Sequence, residues 1–209
     1  MKTIWIALGL VSAVGLRAES DLTPLIANAG FESQNAFTGA CDGGNPCYNY
    51  TIVDWPQSSG TSGTFAPALY AAAGISAYQG NNVAFLVPAA YIQQTLNVDL
   101  TVGTTYTISV AVAGREDTGA ANYRLGVADA GFATFYQTSG IATPGVWQIA
   151  TLTFVAPSDL TFDNNPFVYI ATDTGGQLLV DAATPEPAPF ALIIFGIITV
   201  FAMKRLRQV

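Results

Sequence analysis

The chain carries fourteen carboxylates and no histidine, and this bounds its chemistry. Without an imidazole there is no Ser-His-Asp or Cys-His nucleophile system and no common His-ligated zinc hydrolase site. Carboxylate chemistry remains: two Asp or Glu residues flanking a glycosidic bond, one acting as acid and the other as base or nucleophile. Asp54, Glu116, Asp117 and Asp129 are the candidates. Glu116 and Asp117 fall in the run GREDTGA, just after an alternating segment, where solvated turn carboxylates are ordinary. A glycosidase would need two of these facing each other across a cleft, and the sequence favours a protein that is not an enzyme.

Two other groups of residues carry chemistry. Cys41 and Cys47 bracket DGGNP, and in an exported chain an even, closely spaced pair reads as a disulfide. Closing so small a loop contributes about 2 kcal/mol, enough to pin a Gly-rich surface loop. A metal site on these thiols lacks partners, since the chain has no other Cys and no His. Tyr48, Tyr50 and Trp55, interleaved with Asn49 and Asp54, form an aromatic cluster beside that loop. Tyr50 and Trp55 are the candidate ligand platform, with Tyr78, Gln79 and Asn81 as a weaker second one. Trp147 sits in an apolar run and reads as core.

The elements that must position these residues read as strands. In YTISVAVAG, Tyr106, Ile108, Val110 and Val112 share one face, and NYRLGV repeats the alternation with Tyr123, Leu125 and Val127. NVAFLV, YIQQTLNV, WQIATLTFV, FVYIATD and GQLLVD add further short runs, separated by TPG, DNNP and DTGG turns. Seven or more strands at this spacing predict an all-β fold, an antiparallel β-sandwich of the jelly-roll type.

Charge placement separates this body from its ends. All fourteen acidic residues lie between Glu19 and Glu186, where only Arg115 and Arg124 are basic, so the interior balance is 2 − 14 = −12 against −7 for the whole chain. Such a body is a poor partner for nucleic acid, which is bound through Lys and Arg on phosphates. At the front, Lys2, the apolar run from Ile4 to Leu16 and the small Ala18 have the layout of a secretory signal peptide over residues 1–18. At the back, Pro185-Glu186-Pro187 precedes an uncharged run from Phe190 to Met203 and the basic residues Lys204, Arg205 and Arg207. A helix of that run, with flanking apolar residues and snorkelling cations, reads as a single transmembrane span with its C-terminus cytoplasmic. The expected organisation is a signal peptide (1–18), a sandwich domain outside the membrane (19–183) and a terminal sorting segment (184–209).

The tail Pro185-Glu186-Pro187, apolar run, Lys204-Arg205-Leu206-Arg207 resembles the PEP-CTERM sorting signal over its last 26 or so residues. That resemblance implies export across the inner membrane, recognition and cutting by an exosortase-type membrane protease, and delivery to the cell surface or extracellular matrix. The domain opening Asn28-Ala29-Gly30-Phe31-Glu32 and the late Asp181 resemble the start and finish of galactose-binding-like, carbohydrate-binding-like jelly rolls. By that resemblance Glu32 and Asp181 are candidate ligands of a structural calcium ion; no other cofactor is expected. The functional expectation is a non-enzymatic surface protein, structural or adhesive in association with extracellular polysaccharide. A glycan-binding module using Tyr50 and Trp55, or a carboxylate glycosidase, are the alternatives.

Overall fold

Short apolar runs broken by Gly, Pro and Asn turns can bury their side chains and pair their backbones together only as sheets packed face to face. The computed structural model describes residues 19–41, 44–129, 135–158 and 165–182, and these form such a sandwich. Its strands are β1 (Glu19–Asp21), β2 (Gly39–Ala40), β3 (Pro46–Asn49), β4 (Gln57–Ser59), β5 (Ser62–Phe65), β6 (Val83–Leu86) and β7 (Tyr91–Thr95). They continue as β8 (Thr105–Gly114), β9 (Ala121–Ala128), β10 (Phe135–Ala142), β11 (Gln148–Val155), β12 (Phe167–Ala171) and β13 (Leu178–Ala182).

One sheet runs β8-β13-β6-β5-β3-β2 with β11 and β1 also on β8, and the other runs β10-β9-β12-β7-β4. A strand has two edges, yet β8 has three partners. β11 pairs with Thr105–Val112, whereas β1 takes Thr105–Thr107 and β13 takes Val110–Gly114. β1 and β13 therefore share one edge end to end, and β1, the only parallel partner among the named strand pairings, brings the start of the described chain beside its last strand.

The alternation read from the sequence decides the core between the sheets. Ile108, Val110 and Val112 of β8 meet Leu125 and Val127 of β9, Ile92 of β7, Val168 and Ile170 of β12, and Leu178 and Val180 of β13. Trp55 and Phe31, each 1% exposed, join this core with ring centroids 5.8 Å apart. Beside them the buried Gln94 amide binds the main chain at Ala27 and Asp54, satisfying a polar group that would otherwise be costly in the interior.

The other face of the larger sheet is buried as well. Phe65, Val83, Phe85, Ala113 and Leu179 are covered by Tyr70, Ile75, Ala77 and Trp147. Most of this cover comes from the segment between β5 and β6, which contains the 3-10 turns Pro67–Leu69 and Ala71–Ala73. Two-sided burial explains why β6 and β13 read as continuous apolar runs while β11, buried on one face, alternates. The expected spanning helix and signal peptide lie outside the described residues, and among the described residues no helix is long and apolar enough to cross a membrane.

Candidate active site

The covered face of the larger sheet is open at one end, which leaves a cleft of about 240 Å³. Its walls are built strand by strand. Period two puts Tyr48 and Tyr50 on the same side of the chain at β3, and Phe65 and Phe85 point the same way from β5 and β6. The rings meet edge to face: Tyr48 and Tyr50 have centroids 5.2 Å apart, Tyr50 and Phe85 6.2 Å, and Phe65 and Phe85 6.1 Å. Gly63 makes room for this stack, because a Cβ there would lie 1.9 Å from the Asn49 carbonyl oxygen and 2.8 Å from the Phe85 ring. Cys41, bonded to Cys47 as expected, and Ala40 form the rim.

The polar side of the cleft comes from the segment after β8. Arg115 Nε contacts Asp117 Oδ1 at 2.6 Å, and the Tyr70 hydroxyl donates to Asp117 Oδ2 at 3.0 Å. The Arg115 guanidinium lies 5.3 Å from the Tyr70 ring centroid, within cation–π range of about 6 Å. Arg115, Asp117 and Tyr70 thus hold one another, and Arg115 and Tyr70 both line the cleft. Gln177, just before β13, completes the lining. The Tyr50 hydroxyl is raised above the ordinary tyrosine value, first by its hydrogen bond with Tyr48, then by charge repulsion from Tyr48 and by burial.

Of the expected ligand platform, Tyr50 is in the cleft, 57% exposed, but Trp55 is not. Asp54 turns the chain with φ 67°, which sends Trp55 into the core, where its indole N–H donates to the Ala27 carbonyl at 3.2 Å. No face of that indole is left for a ligand. Trp147, read as core, is half-buried against Tyr78 and donates to the Ser76 carbonyl. The four candidate carboxylates are dispersed. Asp54 is in the turn before β4, Asp129 is buried at the end of β9, Glu116 lies against Gly74, and only Asp117 adjoins the cleft. Tyr70, Arg115 and Gln177 were not singled out from the sequence, since they come from a covering segment and two strand ends whose meeting depends on the fold.

Glu32 and Asp181 are brought together elsewhere, on the segment Tyr78–Asn82. Glu32 Oε1 accepts from the Asn81 and Asn82 N–H groups and Oε2 from Asn82 Nδ2, while Asp181 accepts from Gln79 N at Oδ2 and Ala182 N at Oδ1. Gly80, with φ 65°, lets the Glu32 carboxylate lie directly over the turn. Asp181 is fully buried, and burial pushes its carboxyl up to about 7, with the nearby Glu32 adding to the rise. Calcium takes about six to eight oxygen ligands. All four carboxylate oxygens here accept N–H groups, and among the described residues no cluster of three acidic, His or Cys side chains could hold a metal. As built, the pair clamps a turn, and the two residues that the resemblance names as calcium ligands are brought together on it.

A second, wider groove of about 420 Å³ lies on the smaller sheet, lined by Tyr91, Arg124, Phe135, Gln137, Tyr169 and Ala171. Arg124 contacts Asp173 at 2.6 Å, and the Tyr169 hydroxyl donates to Gln137 at 2.8 Å. Although smaller, the cleft over β3, β5 and β6 has the fuller aromatic wall.

A family profile described as HpiC1-like, HpiC1 cyclase, matches residues 23–166. The chain belongs to the HpiC1-like family. Of the cleft's lining residues only Gln177 falls outside the matched span. The fold is similar to that of a Stig cyclase, Fisc, from Fischerella sp. TAU in complex with (3Z)-3-(1-methyl-2-pyrrolidinylidene)-3H-indole, at TM-score 0.58 and 18% identity, over 75% of this chain and 92% of that one. A cyclase from the same organism in complex with 4-(1H-indol-3-yl)butan-2-one matches with the same figures: TM-score 0.58, 18% identity, 75% and 92% coverage. A family 22 carbohydrate-binding module of Clostridium thermocellum Xyn10B matches at TM-score 0.44 and 17% identity, over 76% and 98%. No curated protein sequence matches the chain. Membership of a cyclase family overturns the expectation of a non-enzymatic, structural or adhesive protein, which rested on the missing histidine and on reading Glu116 and Asp117 as solvated turn residues. A ring closure is not bound to either feature.

Proposed function

We propose that this HpiC1-like chain is a cyclase whose substrate, largely apolar and ring-containing, binds in the cleft between Tyr48, Tyr50, Tyr70 and Phe85. The observation that carries the reading is the family match, whose span includes all of the cleft's aromatic lining. The volume of about 240 Å³, just below the usual ligand sites of about 300–1,000 Å³, suits one compact ring system held in a folded conformer. Holding reacting carbons in contact removes most of the entropic barrier to ring closure. Aromatic faces stabilise positive charge as it develops on the closing skeleton. Asp117 accepts the Tyr70 hydroxyl hydrogen, so the phenol can pass its own proton to Asp117 as it takes one from the cyclised cation. A proton taken up from solvent water before closure and returned to it through Tyr70 and Asp117 afterwards leaves substrate and product with the same mass.

The same proposal places the enzyme outside the inner membrane, on the evidence of the sequence signals alone: Lys2 to Ala18 at one end, Pro185-Glu186-Pro187 with Lys204, Arg205 and Arg207 at the other. An exosortase-type protease is the partner that those signals call for. The sandwich itself is read as a jelly roll of the galactose-binding kind.

The test is binding and turnover together. The purified chain is titrated with 4-(1H-indol-3-yl)butan-2-one, then incubated with alkenyl-substituted indoles and followed for products of altered retention and unchanged mass. Binding that survives Phe85→Ala and Thr61→Trp, or isomerisation unaffected by Tyr70→Phe, would remove the cleft from the mechanism.

A further inference from the structure

One polar atom in the cleft has no protein partner. The Gln177 side-chain oxygen is buried and meets no donor, while its residue lines the aromatic cavity. A buried acceptor left without a donor is costly, typically by an amount comparable to a lost hydrogen bond. The backbone that carries it is fixed from both sides. Gln177 N donates to Thr118 Oγ1 at 2.8 Å, and Arg115 N donates to the Gln177 carbonyl at 3.0 Å. One residue earlier, Gly176 N donates to the Ala120 carbonyl at 2.7 Å, and the Gly119 carbonyl oxygen lies 2.4 Å from where a Gly176 Cβ would be. Gln177 is therefore set on an anchored strand end that lines a pocket with the rings of Tyr48, Tyr50, Phe65, Tyr70 and Phe85 in its wall.

We infer that Gln177 Oε1 is the specificity-determining acceptor of the cleft, taking one N–H or O–H donor from the edge of the bound ring system and setting the orientation in which the rings stack. This rests on the reading of the cleft as the substrate site. Elsewhere on the wall, Arg115 and Tyr70 are engaged with Asp117, and the Tyr48 and Tyr50 hydroxyls with each other. A ligand bearing a donor thus has the Gln177 oxygen to receive it, and a ligand without one leaves that acceptor bare. Sites of this kind discriminate against the donor-free analogue much more strongly than apolar contacts discriminate by size.

The test compares two rings of similar shape, indole with its N–H and 1-benzothiophene without, by saturation-transfer NMR on the full-length chain. Indole is expected to bind about tenfold more tightly, the equivalent of one hydrogen bond with its desolvation. Gln177→Leu should bring the ratio of the two affinities to about one, and Gln177→Glu, which keeps an acceptor, should preserve it. The ratio within each variant is insensitive to how much of the protein is folded. Equal affinity in the unmodified chain, or a preference that persists in Gln177→Leu, would overturn the assignment to Gln177 while leaving the cleft as the binding site. Binding of both probes that is undiminished by Thr61→Trp would instead place them outside the cleft and overturn both readings.

Discussion

At the scale of single residues, two carboxylates of this chain do opposite things. Asp117, at the cleft, is held by Arg115 at 2.6 Å and by the Tyr70 hydroxyl at 3.0 Å, and its work is to orient that phenol. Tyr70→Phe removes the only atom of Tyr70 that can move a proton and keeps the ring, so turnover should fall by about 10²- to 10⁴-fold, the usual contribution of a positioned acid or base. KM should change little, and unchanged turnover would exclude the role. Asp181 is in the interior, where burial raises its carboxyl to about 7 against the N–H groups of Gln79, Ala182 and Tyr78 that favour ionisation. Its sign follows from linkage: the folded state holds the proton more tightly than the unfolded state, whose carboxyl titrates near 3.8. Stability from this group is complete below about pH 4 and is lost as the pH rises through 7, by no more than about 4 kcal/mol. Urea unfolding of the unmodified chain and of Asp181→Asn at pH 4, 5.5 and 7 should show the difference between them falling with pH. A difference that is flat or rises would mean that the hydrogen bonds outweigh burial.

The elements explain which parts of this arrangement could be read in advance. All seven runs picked out by alternation or continuous apolarity became strands, from NVAFLV at β6 to GQLLVD at β13, because their side chains fill the two sides of the larger sheet or the space between the sheets. β5 was not legible. Its residues Ser62, Gly63, Thr64 and Phe65 are all buried, but only Phe65 is a large apolar residue, so neither alternation nor an apolar run marks the strand. β10 was missed for the opposite reason: it ends its sheet and leaves Phe135 and Ile141 exposed. The site divides in the same way. Tyr50 and the disulfide mark the cleft in the sequence, whereas Trp55 is carried to the core by a left-handed residue that composition does not reveal. β5 also sets the sharpest mutational test at this scale. Gly63→Ala would place a methyl 1.9 Å from the Asn49 carbonyl oxygen, a contact in rigid backbone between β3 and β5. It should destabilise the domain by about 2–3 kcal/mol and loosen the Phe85 wall, with binding falling in step. Replacing Cys41 and Cys47 by Ser should cost about 2 kcal/mol and act on the cleft rim alone, so denaturant midpoints of the two variants separate strand packing from rim restraint.

At the level of the whole molecule, the matched span and the cation-bearing ends are separate stretches of the chain. The family match begins at residue 23 and stops at residue 166, so nothing in the ends enters the matched span. The described body starts with β1 lying parallel to β8 and finishes with β13 on the same edge, which sets the points of attachment of both end segments on one side of the larger sheet. Cutting at both points would leave the two strands in place, since β1 is held by Thr105–Thr107 and β13 by both β8 and β6. Removal of the ends should therefore leave the cleft intact, because none of its lining residues lies before Ala40 or after Gln177. Mass spectrometry of the protein recovered from its native cells should find residues 1–18 missing and a new C-terminus near Pro187. The processed form should melt cooperatively and bind the indole probe with the affinity of the full chain. If the recovered protein retains Phe190 to Val209, the terminal run is an anchor, and the enzyme works at the membrane face instead of being released from it.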